Sequence, residues 1–215
     1  MTPEPPAPSA PTVRPSPLAL TVLAMLAYEP LHPYRMQRLM QLWGKDRVVN
    51  VGQRANLYKT IKRLLEAGLV AVRQTERDHQ YPERTVYELT EAGARQSRAW
   101  LTEMLAAPRA EFPEFPAALS FVMLLEPDAA RQVLAARAGL VRQDLSALET
   151  DLAENAGVLP RVTVLETEYL RAVTAAELGW LDIVTEELAA GTLSWSEEEL
   201  TAAVVDDTAD EAEAP

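Results

Sequence analysis

A one-sided basic helix followed by two short strands constrains the fold of this chain more than any other feature. Residues 57–70 read LYKTIKRLLEAGLV, and Gly68 suits the left-handed conformation of a helix C-cap. At 100° per residue, one apolar stripe is formed by Leu57, Ile61 and Leu64. The opposite side carries Asn56, Lys59 and Arg63, with Lys62 at its margin. Such a helix suits either a solvated surface or insertion into a DNA groove, and the neighbouring segments distinguish the two.

Two alternating segments after this helix predict a hairpin. Residues 69–74 and 85–89 have the period of short strands, and the polar residues 75–84 between them lack a core pattern. A charged hairpin directly after a basic helix indicates the wing of a winged helix-turn-helix. Arg77 and Arg84 are then candidate phosphate contacts, with loop solubility as the alternative.

The segments before the basic helix predict two further helices. Residues 18–28 are apolar almost all round, which is typical of a buried helix. His32 and Pro33 suit the cap and first position of a second helix that runs to about Trp43. Its predicted buried face is Met36, Leu39, Met40 and Trp43. The basic helix itself begins either at a capping box of Asn50 and Gln53 or at Gln53. A fourth helix opens at Thr90-x-x-Gly93 and runs to Leu105.

Charge is distributed unevenly along the chain. The net charge is −12, but residues 18–105 hold 13 Lys and Arg against 9 Asp and Glu. Residues 35–63 hold eight basic residues and a single acidic one, whereas residues 106–215 hold 6 basic and 22 acidic. The positive charge therefore surrounds the basic helix, where a phosphate-binding surface would need it.

The second half of the chain predicts a helical hairpin. A proline-containing linker at 106–116 precedes a short apolar helix at 117–125. A heptad pattern follows at Leu134, Ala138, Val141, Leu145, Leu148 and Leu152. The last helix opens at Pro160, and its apolar face is Val162, Leu165, Tyr169, Val173, Ala176, Trp180 and Val184. Each stripe needs more partner surface than one hairpin supplies, which predicts a homodimer. Glu177 lies beside this face, and we expect it to pair with Arg171 or with an arginine of the partner chain.

The two ends and the composition limit the remaining possibilities. Seven prolines in residues 1–17 predict a disordered arm, and residues 192–215 predict a disordered acidic tail. The chain has no cysteine, and His32 and His79 are not at metal-ligand spacing, so we expect no metal and no cofactor. No secretory signal or membrane-length apolar run is present, which predicts a cytoplasmic protein. The sequence contains no Gly-rich phosphate loop, no cysteine nucleophile and no His-based triad, so we expect that the protein is not an enzyme.

The order of these segments resembles the PadR family of bacterial transcriptional regulators, in its long form with a helical C-terminal half. The matching residues are LALTVLAML at 18–26, His32-x-Tyr34, Leu57-Tyr58-x-x-Ile61-x-Arg63-Leu64-x-x-x-Gly68-Leu69, Tyr87-x-Leu89-Thr90-x-x-Gly93, Glu168-Tyr169 and Ala176-Glu177-x-x-Trp180-Leu181. Together they span roughly residues 18–190. The expected fold is mainly α with a small β-hairpin: a winged helix-turn-helix at 18–105 and a coiled-coil-like dimerisation domain at 117–191.

The resemblance implies a homodimeric repressor that reads a palindromic operator in double-stranded DNA, is nucleoid-associated when bound, and responds to a small aromatic or hydrophobic effector. It assigns phosphate contacts to Tyr58 and Lys62. The full set of predicted DNA contacts is Arg54, Asn56, Tyr58, Lys59, Lys62, Arg63, Arg77 and Arg84. The predicted dimer interface is Leu134, Val141, Leu145, Leu148, Tyr169, Val173 and Trp180. Trp100 is a candidate effector contact, with packing as its alternative. The alternative functions are a protein–protein adaptor and a ligand-free regulator.

Overall fold

The chain divides into two compact units, at residues 1–110 and 111–215. The computed structural model describes residues 13–50, 54–76 and 84–201. Helices dominate both units, and a small antiparallel hairpin lies in the first. This confirms the predicted combination of helices with one hairpin. Within these ranges, no helix combines the length and the apolar character that crossing a membrane requires.

Four helices form most of the first unit: α1 (Pro17–Leu26), α2 (Pro33–Leu42), α3 (Arg54–Glu66) and α4 (Glu91–Ala106). Side chains cap the first two helices. The Ser16 hydroxyl accepts a hydrogen bond from the Ala19 N–H at 3.2 Å. The His32 ring accepts one at Nδ1 from the Arg35 N–H at 3.1 Å, which confirms the predicted cap of α2.

The hairpin consists of β1 (Val70–Glu76) and β2 (Arg84–Leu89) in antiparallel register. The register shifts between Val72 and Gln74, as in a β-bulge. Leu31 adds a short third segment, because it exchanges two main-chain hydrogen bonds of 3.0 Å with Tyr87. The sequence pattern did not predict this bridge, since a pairing of one residue has no periodicity to detect.

The core of the first unit is built from one face of α1, α2 and α3, from the start of β1 and from α4. Its buried side chains include Val22, Leu23, Leu31, Met36, Met40, Ile61, Leu64, Val70 and Trp100. The predicted burial of Trp43 is wrong, because this side chain is 47% exposed. The helix α2 ends at Leu42, one residue before Trp43, and Gly44 turns the chain at φ 63°. Trp43 therefore does not continue the buried face of α2.

The expectation of a disordered arm through residue 17 is wrong for residues 13–17. Val13 packs against the core of the first unit, and Ser16 caps α1. An apolar side chain and a helix cap therefore fix the end of a proline-rich segment whose composition alone predicts disorder. Residues 1–12 lie outside the described ranges.

The main helices of the second unit are α5 (Glu114–Leu119), α6 (Pro127–Asn155) and α7 (Leu165–Ala190). The helix α5 begins within the predicted linker, and the predicted helix 117–125 is divided into α5 and a 3₁₀ turn at Val122–Leu124. The long helices α6 and α7 pack along each other as a hairpin. Their shared core is Leu134, Ala138, Val141, Leu181 and Leu188.

The segment after α7 is also ordered, so the expectation of disorder from residue 192 is wrong for residues 192–201. The Trp195 indole N–H donates to the Leu125 carbonyl at 3.0 Å, and its ring packs against the core of the second unit. Ser196 and Glu199 then form a reciprocal capping box, with N–H donors 2.9 and 3.2 Å from the acceptors. A single aromatic side chain and a capped turn thus order a segment of acidic composition.

Candidate nucleic-acid interface

The helix α3 presents two chemically different faces. Its buried face packs into the first unit's core and consists of Leu57, Thr60, Ile61 and Leu64. Its outward face is exposed to solvent and carries Arg54, Asn56, Tyr58, Lys59, Lys62 and Arg63. The 3.6-residue period places Asn56, Lys59 and Arg63 opposite the buried stripe, with Tyr58 and Lys62 beside them, and Arg54 is exposed in the first turn. The structure therefore brings six of the eight predicted DNA-contacting residues together on one solvated surface, which we call the basic face.

The basic face is positively charged along its whole length. No acidic residue interrupts α3 before Glu66. Lys62 Nζ lies 3.8 Å from Glu66 Oε1, and both side chains are more than half exposed. An exposed pair of this kind contributes little, so Lys62 can exchange this partner for another anion.

The end of α3 aligns the helix with the hairpin. Gly68 has φ 68°, and the Leu69 N–H donates to the Leu64 carbonyl at 2.9 Å, as in a Schellman motif. The predicted C-cap is confirmed by this geometry. Because β1 starts two residues later, the hairpin is fixed close to the end of the basic face.

Two tyrosines lie near each other on α3 and β2. Tyr58 is 55% exposed on α3, whereas Tyr87 on β2 is partly buried. Burial, followed by the nearby Tyr58, raises the pKa of Tyr87 above its ordinary value. The neighbouring Tyr58 hydroxyl is accessible as a hydrogen-bond donor at the edge of the basic face.

Of the two predicted wing arginines, Arg84 lies within the described residues. Arg84 is the first residue of β2 and pairs with Glu76 in the strand register. Arg77 lies outside the described residues, as do residues 51–53 at the approach to α3. The choice between a start at Asn50 and a start at Gln53 therefore stays open, although Arg54 is already helical.

The predicted dimer residues fall into two groups. Leu134, Val141 and Leu148 are buried within one chain, and Leu145 is half-buried. The fold of one chain already accounts for their burial. Tyr169, Val173 and Trp180 are exposed on α7 instead. Since α7 buries Leu181 and Leu188 on its hairpin side, this helix has a second apolar face.

Trp100 and Glu177 have partners within their own units. Trp100 is 4% exposed and packs in the first unit's core, and its contact with an effector remains a prediction. Glu177 does not pair with Arg171, because its carboxylate lies 2.6 Å from Arg137 Nη2. Arg171 lies 3.5 Å from Glu149 instead. The contact with Arg137 was not predictable from the sequence pattern, since the two residues are 40 positions apart on different helices.

The guanidinium of Arg137 makes a second contact. Its Cζ atom lies 3.6 Å from the centre of the Phe115 ring, and the Phe115 ring meets Trp180 edge to face at 6.2 Å. A cation over an aromatic face and an edge-to-face ring pair are both attractive. These contacts hold α5 against the α6–α7 hairpin.

Three packed helices, an exposed basic third helix and an antiparallel hairpin define a winged helix-turn-helix, a fold class used by transcriptional regulators. The family model for the transcriptional regulator PadR-like family matches residues 22–99. The chain therefore carries a PadR-like family domain, which confirms the resemblance seen in its sequence.

Solved structures share the fold at low identity. Bacillus subtilis PadR in complex with operator DNA is 16% identical, with a TM-score of 0.65 over 80% of this chain and 98% of that one. The structure of the same protein in complex with p-coumaric acid is also 16% identical, with a TM-score of 0.66 over 80% of this chain and 98% of that one. The Vibrio cholerae virulence activator AphA is 22% identical, with a TM-score of 0.60 over 80% of this chain and 98% of that one. Comparison with curated proteins gives no match.

Proposed function

We propose that this PadR-like regulator is a sequence-specific DNA-binding repressor. It acts as a homodimer that reads a palindromic operator, with α3 in the major groove and the hairpin on the DNA backbone. The observation that carries this proposal is the basic face of α3, which projects six polar and cationic side chains away from a buried apolar face. An α-helix fits the major groove, and a one-sided helix can enter it without exposing its core.

The residue types on the basic face suit two kinds of contact. Asn56 can pair with adenine and Arg63 with guanine, because their side chains match the hydrogen-bonding edges of these bases. Lys59 lies between them on the same outward side. Tyr58 and Lys62 are placed at the margins, where phosphate contacts would fix the register of the helix.

The experiment starts from a footprint upstream of the protein's own gene or an adjacent gene, followed by binding to that fragment. We expect Lys59→Ala and Arg63→Ala to lose affinity by about 1–3 kcal/mol each. Lys62→Ala should weaken binding to all DNA sequences alike, and it should lower the slope of log affinity against log salt concentration by about one. Arg98→Ala is the matched control, since it removes the same charge from an exposed position on α4. Unchanged operator binding by both Lys59→Ala and Arg63→Ala would refute the placement of α3.

We further propose that a small aromatic or hydrophobic effector releases the operator in the cytoplasm. Support comes from Bacillus subtilis PadR, whose structure with p-coumaric acid shares this fold. Quenching of tryptophan fluorescence by a panel of phenolic compounds tests this part. No response across a broad panel would favour the ligand-free alternative.

The second candidate function is a protein–protein adaptor. The observation that favours it is the acidic second unit, with 22 acidic against 5 basic residues in 111–215. Salt-sensitive binding to the footprinted fragment separates the two functions, because an adaptor has no phosphate contacts to screen.

A reporter carrying that promoter decides the direction of regulation, since AphA, which shares the fold, is an activator.

A further inference from the structure

The segment after α7 is attached to the second unit through one aromatic side chain. Among residues 192–201, all of which the structure describes, Trp195 alone belongs to the apolar core cluster of this unit. The other hydrogen bonds described for these residues are local. They close the last turn of α7 at Gly191 or form the capped turn that begins at Ser196. The attachment of the whole segment therefore depends on where the indole lies.

The Leu125 carbonyl is an acceptor that the neighbouring main chain does not use. It lies between the 3₁₀ turn Val122–Leu124 and α6, where the Ala130 N–H donates to the Glu126 carbonyl instead. Within the described residues, no main-chain N–H donates to the Leu125 carbonyl. The Trp195 indole supplies this donor at 3.0 Å from 70 positions away.

The place that the indole occupies thus combines one polar acceptor with an apolar surface. We call it the indole site, and it consists of the Leu125 carbonyl and the cluster of Leu134, Ala138, Val141, Leu181 and Leu188. Ligand sites in proteins commonly have this composition, with an apolar lining and few polar groups that fix the orientation.

The indole site is held together by contacts that do not involve Trp195. Its apolar residues come from α6 and α7, which pack along each other, and Phe115 of α5 packs against the same cluster. Phe115 is fixed in turn by the Arg137 guanidinium at 3.6 Å and by the Trp180 ring at 6.2 Å. The site should therefore keep its shape when the indole leaves, and a preorganised site loses less free energy on binding.

Acidic residues flank both partners of the indole hydrogen bond. Glu126 follows Leu125 directly, and three glutamates at 197–199 follow Trp195 after one serine. The arginines of α6 are already in ion pairs: Arg131 with Asp128, Arg137 with Glu177 and Arg142 with Asp182. A carboxylate on a ligand would therefore meet negative charge at this site, whereas a neutral or cationic ligand would not.

We infer that the indole site binds a small, flat aromatic molecule, neutral or cationic, which replaces Trp195. An N–H or O–H donor of this molecule binds the Leu125 carbonyl, its ring covers the apolar cluster, and residues 192–201 are released. This inference rests on the proposed effector response and adds the site and the chemical class of the effector. The tethered indole competes at an effective concentration on the order of millimolar.

Indole is the probe, and Trp195→Ala is the variant that leaves the site open. We expect Trp195→Ala to bind indole about tenfold more tightly than the unmodified protein, because no tethered ring competes. Isothermal titration calorimetry measures both affinities. Trp43→Ala is the control, since Trp43 is 47% exposed in the other unit, and its affinity should equal that of the unmodified protein. Equal affinities of Trp195→Ala and the unmodified protein, or no binding by either, would overturn the inference.

Two related compounds test the chemistry of the ligand. 1-Methylindole has nearly the same shape but no donor, so it should bind Trp195→Ala about fivefold more weakly than indole. Indole-3-acetate keeps the donor and adds a carboxylate, so it should bind roughly threefold more weakly. Binding of 1-methylindole as tight as that of indole would contradict the role of the Leu125 carbonyl. Tighter binding of indole-3-acetate would contradict the inferred ligand class.

Release of the segment is measured on the unmodified protein, so this test does not depend on the fold of a variant. Saturating indole should increase amide hydrogen exchange in residues 192–201 by about fivefold, whereas exchange in the α6–α7 hairpin should stay the same. Unchanged exchange in residues 192–201 would show that indole does not replace Trp195.

The outcomes separate this inference from the proposed function. Indole that binds and releases residues 192–201 in a protein without operator binding supports the inference and refutes the proposed regulator. A phenolic compound that releases the operator without faster exchange in residues 192–201 supports the effector response, and it refutes the indole site as the place where the effector binds.

Discussion

Gly93 approaches the main chain of Leu69 so closely that a Cβ atom at position 93 would lie 2.0 Å from the Leu69 carbonyl oxygen. The Thr90 side chain strengthens the same junction. Its hydroxyl lies 2.8 and 3.0 Å from the carbonyl oxygens of Gly68 and Leu69, and it accepts the Gly93 N–H at 3.0 Å. The spacing Thr90-x-x-Gly93 therefore caps α4 and fixes its first turn against the start of β1.

The variant Gly93→Ala should destabilise the first unit. The new methyl group meets a backbone oxygen and the Leu89 side chain, and a backbone oxygen cannot rotate away. We expect a loss of about 2–3 kcal/mol in the free energy of unfolding, because overpacking here outweighs the higher helix propensity of alanine. Chemical denaturation followed by circular dichroism measures the change.

The matched control is Gly139→Ala on α6. An added Cβ at Gly139 meets no described atom within 4 Å, so only helix propensity should act. We expect a gain of about 0.5–1 kcal/mol. A Gly93→Ala protein as stable as Gly139→Ala would show that the junction adapts at little cost.

Local patterns account for most of the fold that the sequence predicted. The caps at His32 and Thr90 and the left-handed Gly68 depend on neighbouring residues alone, and all three have the predicted role. The period of α3 likewise separates its buried and basic faces. These features follow from short-range geometry, which one sequence contains.

Features that depend on distant contacts were not predictable. Trp43 is exposed because α2 ends early, and Trp195 is ordered because Leu125, 70 positions away, accepts its N–H. The heptad pattern correctly marked apolar positions on α6 but did not say whether their partner was α7 or a second chain. Periodicity gives the direction of a side chain and not the identity of its partner.

The variant Arg137→Lys should loosen α5 from the hairpin. A lysine keeps the charge opposite Glu177, but it loses the planar group that lies over the Phe115 ring and donates to the carboxylate from Nε at 2.7 Å. We expect a loss of about 1 kcal/mol in stability. Thermal unfolding measures it. Arg142→Lys is the control, because the exposed Arg142–Asp182 pair should contribute less.

The start of α7 contains a carboxylate whose titration can be followed. A side-chain hydrogen bond from Arg161 to Glu168, at 2.9 Å, holds the pKa of Glu168 below its ordinary value. Its contribution to stability is therefore complete above the ordinary carboxyl pKa and is lost as the pH falls through the lowered pKa. Carbon-detected NMR titration should show the lowered pKa, and Arg161→Ala should return it towards the ordinary value. Identical titrations of the two proteins would contradict the contact.

The Trp195 indole connects the segment after α7 to the second unit through one directed hydrogen bond. Trp195→Phe keeps an aromatic ring against the core but leaves the Leu125 carbonyl without its donor. We expect a loss of about 1 kcal/mol in the free energy of closing this segment, and hence roughly fivefold faster proteolysis near residues 192–201. Trp43→Phe is the control, because its exposed indole lies in the other unit. Cleavage at the same rate in both variants would show that the ring, and not its N–H, orders the segment.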